Sequence, residues 1–245
     1  MSRMHGSEPR QSDGRPLDAL RPLSISTGFV PQAPGSALIR AGNTHVLCVA
    51  SVLESVPRWM EGRGLGWVTG EYSMLPYATS PRSEREQRAP SGRTQEIRRI
   101  IGRSLRMAVD RRALGERMIV VDCDVLQADG GTRTASVTGG YVALALALRY
   151  LRQQGILDQD PLQRQIAAVS VGIIDDHAML DLAYADDVRA EVDLNVVMTG
   201  TGEYVEVQGT GEGAPYGRTA LDRLLTLADA GIAELMTMQN RALDG

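Results

Sequence analysis

The sequence predicts an α/β (α+β) fold of two βαβ-type halves, with helices packed on a mixed sheet. Three observations carry that expectation. Short β-branched runs alternate with longer stretches of helical period. Glycine steps separate strand from helix around 129–134. The strand–helix theme of the first half also recurs after residue 165. At 245 residues, 43% hydrophobic and 23% charged, the chain can bury a core as a single domain over 1–245. The polar residues 1–12 are expected to be flexible.

Ala37–Arg40 and His45–Leu53 read as a hairpin around Ala41-Gly42-Asn43-Thr44, and Gly66–Met74 as a further strand. Residues 77–92 are polar and arginine-rich and carry Pro81 and Pro90, the signature of a loop. From Thr94 to Leu114, Ile97, Ile100, Ile101, Leu105 and Ala108 recur at helical spacing, with Arg99, Arg103 and Arg106 on the other face. That stripe suits a solvated surface, a subunit contact or an RNA backbone. Arg117–Ala128 is a strand, and a Gly-Gly turn opens a helix from Thr132 to Gln153. Strands are expected near Gln165–Ile174, Ala178–Ala183, Glu191–Met198 and Glu203–Gln208. A last helix spans Arg218–Arg241, with Leu221, Leu224, Leu225, Leu227 and Ala228 on or near its apolar face.

The amino-terminal stretch lacks the apolar run of a secretory signal, and Tyr141–Leu148 is far short of the ~20 residues that span a bilayer. A cytoplasmic protein without membrane contact is expected. Cys48 and Cys123 lie in apolar, β-branched stretches and read as buried thiols, with no partner at zinc-ligand spacing. The net charge of −4 hides an asymmetry: all 26 basic residues are arginine, and eleven of them stand against five acids between Arg82 and Arg117. Planar, permanently charged forks concentrated in one segment suggest a phosphate-rich partner.

Asp129-Gly130-Gly131-Thr132-Arg133-Thr134 lies between a strand and a helix. A helix amino terminus offers unpaired N–H groups, glycines let an anion approach closely, and Thr132 and Arg133 add a hydroxyl and a guanidinium. The same residues also suit an ordinary glycine turn capped by Thr132 or Thr134. Ser91-Gly92-Arg93-Thr94 opens the first long helix in the same manner, so two helix starts can clamp one phosphate. In 186–193, Asp187 at the loop mouth and Asp193 on the following strand can converge on a hard divalent cation such as Mg²⁺, or form a solvated acidic turn. Asp122 and Asp124 share one strand face and read as solvent-facing or capping. Gly209–Ala214 matches a loose dinucleotide pattern, but no later strand completes a βαβ unit. His5, His45 and His177 suggest no triad.

With these blocks assembled, the sequence resembles the bacterial ribonuclease PH family over essentially its whole length. The resemblance rests on Asp13-Gly14-Arg15, Leu20-Arg21-Pro22, Ala41-Gly42-Asn43-Thr44, Glu71–Pro76, Ser91–Ile97, Asp122–Ser136, Ala190–Gly200 and Glu206–Thr210. It implies the fold of the exosome ring and polynucleotide phosphorylase core, and a hexameric ring built as a trimer of dimers. It implies a reversible nucleotidyltransferase that uses inorganic phosphate to release 3′-terminal nucleotides of precursor tRNA, with rRNA as a further substrate, as nucleoside diphosphates. On the matching positions, Arg93, Gly131, Thr132 and Arg133 would hold phosphate. Asp187 and Asp193 would serve Mg²⁺ and, with Arg93, catalysis. Arg82, Arg85, Arg88 and Arg99 are candidate RNA contacts. Two departures stand where RNA would enter: Tyr77 follows Pro76 where the family commonly has arginine, and the loop before Ser91 is short. The alternatives are a non-catalytic RNA-binding ring subunit and a small-molecule kinase.

Overall fold

The computed structural model describes residues 9–85, 90–213 and 215–245. The first sheet holds β1 (Leu23–Thr27), β2 (Gly35–Ala41), β3 (Thr44–Leu53), β4 (Trp67–Met74) and β5 (Met118–Gln127), in the order β1-β2-β3-β5-β4. β4 and β5 run parallel and the other neighbours antiparallel. Parallel pairing requires a crossover, supplied here by α1 (Gly92–Met107) and a short α2 (Arg111–Leu114).

The second sheet holds β6 (Ile166–Ile174), β7 (His177–Leu180), β8 (Val192–Thr199) and β9 (Tyr204–Gly211), in the order β7-β6-β8-β9. The mixed α/β class holds, but this sheet is antiparallel throughout, so the βαβ expectation applies to the first half alone and the helices serve two sheets. The cause is local. Asp175 and Asp176 take left-handed backbone (φ 50° and 63°), which turns β7 straight back along β6. A four-residue α4 (Tyr184–Asp187) then leads into β8. Because β9 pairs antiparallel with β8, the glycines of 209–213 open no dinucleotide unit.

Between the sheets lies α3 (Thr132–Gln153), buried on nearly every side. Its apolar residues, among them Val137, Leu144 and Leu148, join one core with Ile39, Val46 and Val121 of the first sheet and Ile166, Ala168 and Val197 of the second. α5 (Arg218–Asp244) covers the outer face of the second sheet through Leu224, Ala228, Ile232 and Leu235. The fully buried Gln239 ties it inward, donating to the carbonyls of Thr138 and Ile166, each at 2.9 Å. Among the described residues, no helix is long and apolar enough to cross a membrane.

The helix expected over 94–114 divides at Ala108. Asp110 donates its backbone N–H to the Pro161 carbonyl, and its side chain caps α2. The arginine stripe divides as well. Arg106 stacks over Trp67, 4.3 Å from the ring centroid, and donates to the Val68 carbonyl, while Arg98 donates to that of Tyr72. Carbonyls of the edge strand β4 are thereby covered rather than left open. Gln11 and Ser12, expected in a flexible stretch, are instead anchored: Gln11 donates to the Leu180 carbonyl, and Ser12 bonds the buried Asp186 carboxyl. Cys48 and Cys123 face each other across β3 and β5 as free, buried thiols.

Candidate active site

The sequence Asp129-Gly130-Gly131 ends β5 in a turn that L side chains resist. Gly130 and Gly131 both have left-handed backbone, with φ 74° and 63°. Space is also lacking: an added Cβ would lie 2.4 Å from the Leu182 carbonyl oxygen at Gly130 and 2.9 Å from Arg21 Nη2 at Gly131. Three supports hold the turn. Thr44 Oγ1 donates to the Gly130 carbonyl (2.6 Å) and accepts from the Asp129 N–H (2.9 Å). Arg21 Nη1 donates to the Asp129 carbonyl, and Arg21 Nη2 pairs with Asp181 Oδ1 at 2.7 Å. The Asp129 carboxylate accepts from the Tyr184 N–H (3.2 Å) and from Asn43 (3.2 Å). Burial alone would raise the Asp181 carboxyl; the hydrogen bonds and charge of Arg21, with Arg15, outweigh it and hold the group below its usual range.

Above this support the first turn of α3 carries no side-chain cap at Gly131, and Gly131, Thr132 and Arg133 line the hollow at the positive end of the helix dipole. Thr132 is buried, and its hydroxyl shares a 2.8 Å hydrogen bond with the Tyr72 phenol. Burial raises the Tyr72 pKa, partly offset by that bond and by Arg93 and Arg133. Arg133 Nη1 donates to Gln208 Oε1 (2.8 Å) and Glu96 Oε1 (3.3 Å). Arg93 enters from the first turn of α1, whose cap is Ser91 accepting from the Thr94 N–H.

The opposite wall is acidic. Strand alternation sends Val192, Leu194 and Val196 towards α5 and leaves Asp193 and Asn195 on the α3 side, where Asn195 pairs in register with Ser170. Burial and the neighbouring Asp187 raise Asp193 to about 6, against the pull of Arg133 and Arg93. Asp187 is raised by burial, opposed by Arg93 and Arg133. Asp193 Oδ1 is buried and has no hydrogen-bond partner among the described residues.

One cavity of about 450 Å³ gathers Arg93, Gly131, Thr132, Arg133, Asp187 and Asp193, bringing together every phosphate, metal and catalytic residue the sequence singled out. Arg82 and Arg85 are exposed and follow Pro81, which lines the cavity; Arg99 is exposed on α1 away from the lining, and Arg88 lies outside the described residues. Asp122 and Asp124 are half-buried on their own strand, where burial raises both carboxyls, and take no part. Sequence reasoning gave no role to Tyr72, Glu96, Gln208 or Arg21. Each sits in a block that carried the family resemblance, which was the available signal.

The model of the 3′ exoribonuclease family, domain 1, matches residues 19–149, and that of domain 2 matches residues 164–231. A ribonuclease PH of Mycobacterium avium is 58% identical over 237 residues, covering 96% of this chain and 92% of the relative. One from a Mycobacterium species (strain KMS) is 56% identical over 238 residues, with the same coverage. A chain of the Archaeoglobus fulgidus exosome, solved with RNA bound to the active site, superposes with a TM-score of 0.81 at 20% identity, covering 94% of this chain and 92% of that one. Likeness of sequence along nearly its whole length, on both sheets and through the turn that builds the cavity, makes this chain a member of the ribonuclease PH group of the 3′ exoribonuclease family.

Proposed function

We propose that this exoribonuclease holds inorganic phosphate against Arg93, Gly131, Thr132 and Arg133 and uses it to remove the 3′-terminal nucleotide of precursor tRNA. One observation carries the reading: two guanidinium groups and an uncapped helix start face two carboxylates across a single cavity. A phosphate oxygen attacks the phosphorus of the last phosphodiester; the bond to the 3′ oxygen of the preceding nucleotide breaks, and that oxygen takes up a proton. The products are a nucleoside diphosphate and RNA shortened by one residue, and the reverse reaction extends the chain. Orientation and charge neutralisation supply most of such catalysis. Arg93 and Arg133 offset the charge of two phosphates brought together, while the N–H groups of α3 and the Thr132 hydroxyl fix the attacking one.

The acidic wall fits a divalent cation. Asp193 Oδ1 is buried without a partner among the described residues, as a metal ligand would be before binding. Mg²⁺ habitually takes one or two carboxylates and completes its shell with water and phosphate, and Asp187 and Asp193 line one cavity as such a pair. Asp187 and Asp193 would hold such an ion, which would supply charge neutralisation for the phosphates brought together. We place the working protein in the cytoplasm as a hexameric ring, a trimer of dimers, with the exposed Arg82, Arg85 and Arg99 available to the RNA backbone and Arg88, outside the described residues, kept as a candidate contact.

The test is to incubate 3′-labelled RNA with and without phosphate and separate the products by chromatography. Nucleoside diphosphates formed only with phosphate are expected. Nucleoside monophosphates, or trimming indifferent to phosphate, would overturn the reading.

A further inference from the structure

We propose that Gln208 and Glu96 are positioning residues that hold Arg133 towards the phosphate, so that the docking of β9 on α1 sets phosphate affinity. The proposal rests on the phosphate-binding role of Arg133 given above and assigns the device that makes that role effective.

An arginine side chain has enough rotamer freedom that an unsupported guanidinium spends little time in one orientation. Arg133 is supported from two elements far apart in sequence. Gln208 Oε1 accepts from Nη1 at 2.8 Å and Glu96 Oε1 accepts from the same nitrogen at 3.3 Å. The two acceptors are themselves joined, because Gln208 Nε2 donates to Glu96 Oε1 at 2.6 Å. With Nη1 engaged on the α1–β9 side, Nε and Nη2 make no bond to protein among the described residues.

Residue chemistry suits each position. The amide at 208 accepts from the guanidinium through its oxygen while its nitrogen donates to the carboxylate. A carboxylate at 96 would repel phosphate if it were loose, but here it is engaged by both an amide and a cation. Gln208 stands opposite Asn195 in the β8–β9 register, which brings it to the cavity side of the second sheet. A second bridge holds the same two elements in step: Arg103 Nη1 pairs with Glu206 Oε2 at 2.9 Å, seven residues along α1 and two along β9. Seven helical residues advance about 10 Å and two strand residues about 7 Å, so both bridges fit one roughly aligned junction.

A double-mutant cycle tests this, because a residue that acts through Arg133 loses its influence when Arg133 is gone. Gln208→Met keeps the bulk and removes both hydrogen bonds. It is expected to raise the KM for phosphate about tenfold, as for loss of one well-oriented ionic hydrogen bond, and to change kcat at saturating phosphate by less than about twofold. In the Arg133→Ala background the same change should move the KM for phosphate by less than about twofold. Glu96→Ala should repeat the phosphate effect from the other end of the clamp, and Glu96→Gln, whose amide oxygen still accepts, should restore most of it. An equal rise in both backgrounds, or a parental KM for phosphate in Gln208→Met and Glu96→Ala, overturns the clamp. Trimming by the parental chain that ignores phosphate would instead remove the reading beneath it, and the clamp with it.

Discussion

Among the described residues the Asp193 carboxyl has a buried oxygen without a partner, a second carboxylate beside it, and a pKa raised to about 6. An unfolded aspartate titrates near 3.9, so the native state binds this proton more tightly and its loss opposes folding. That cost is absent below about pH 4, grows as pH rises towards 6, and is complete above it. In metal-free protein at pH 8, Asp193→Asn should therefore raise stability by about 2 kcal/mol, read from urea melts, while activity falls at least ~100-fold for loss of a carboxylate proposed to hold the charge-neutralising cation. A variant less stable than the parent would show that the carboxylate is better accommodated than its surroundings indicate. The ionised form is the one that binds a cation, so trimming should fall as pH drops through about 6, and raising Mg²⁺ should move that limb lower. The carboxylates, glycines and arginines of this site were legible in the sequence because their chemistry is unusual where they stand. Tyr72 and Gln208 were not: an apolar-strand tyrosine and an edge-strand glutamine acquire their meaning from Thr132 and Arg133, 60 and 75 residues away.

The elements that aim the site are held by close backbone approach. An added Cβ at Gly70 on β4 would lie 2.4 Å from Ile101 Cγ2, and one at Gly102 only 3.2 Å from the Gly70 nitrogen. α1 therefore rests close on β4, with the Ile101 side chain packed on the bare backbone of Gly70, and α1 carries both Arg93 and Glu96. Gly70→Ala should cost about 1–3 kcal/mol by overpacking, although alanine is the better strand former of the two. It should also raise the KM for phosphate, because α1 can relieve the clash only by moving away; stability lost with an unchanged KM would mean the strand yields instead. α5 was readable from its apolar spacing, and α3 from the Gly-Gly step that opens it. β1 went unread because Leu-Ser-Ile-Ser-Thr is a five-residue edge strand whose alternation is too brief to stand out. The break after Met107 was hidden for a different reason: apolar periodicity runs on through Leu114, and the chain is parted by tertiary bonds from Asp110 to Pro161 and from Val109 to Leu162.

Across the whole molecule, a net charge of −4 coexists with eleven arginines in 82–117, so attraction for RNA must be local rather than global. Arg82 and Arg85 are placed to supply it, since both are exposed, Arg82 directly after the lining residue Pro81 and Arg85 three residues further on. Tyr77, 79% exposed, lies two residues before Thr79, which lines the cavity. Each contact between an arginine and a phosphate releases condensed counterions, so the logarithm of RNA affinity falls with the logarithm of salt concentration by about 0.7 per contact on a single strand. The double variant Arg82→Ser/Arg85→Ser should therefore flatten that slope by about 1.4 and weaken RNA binding most at low salt. Tyr77→Arg should steepen it by about 0.7. Filter binding of a single-stranded RNA from 50 to 300 mM salt measures both. Slopes identical to the parent's would mean that RNA reaches the cavity by another path, with these side chains facing only water.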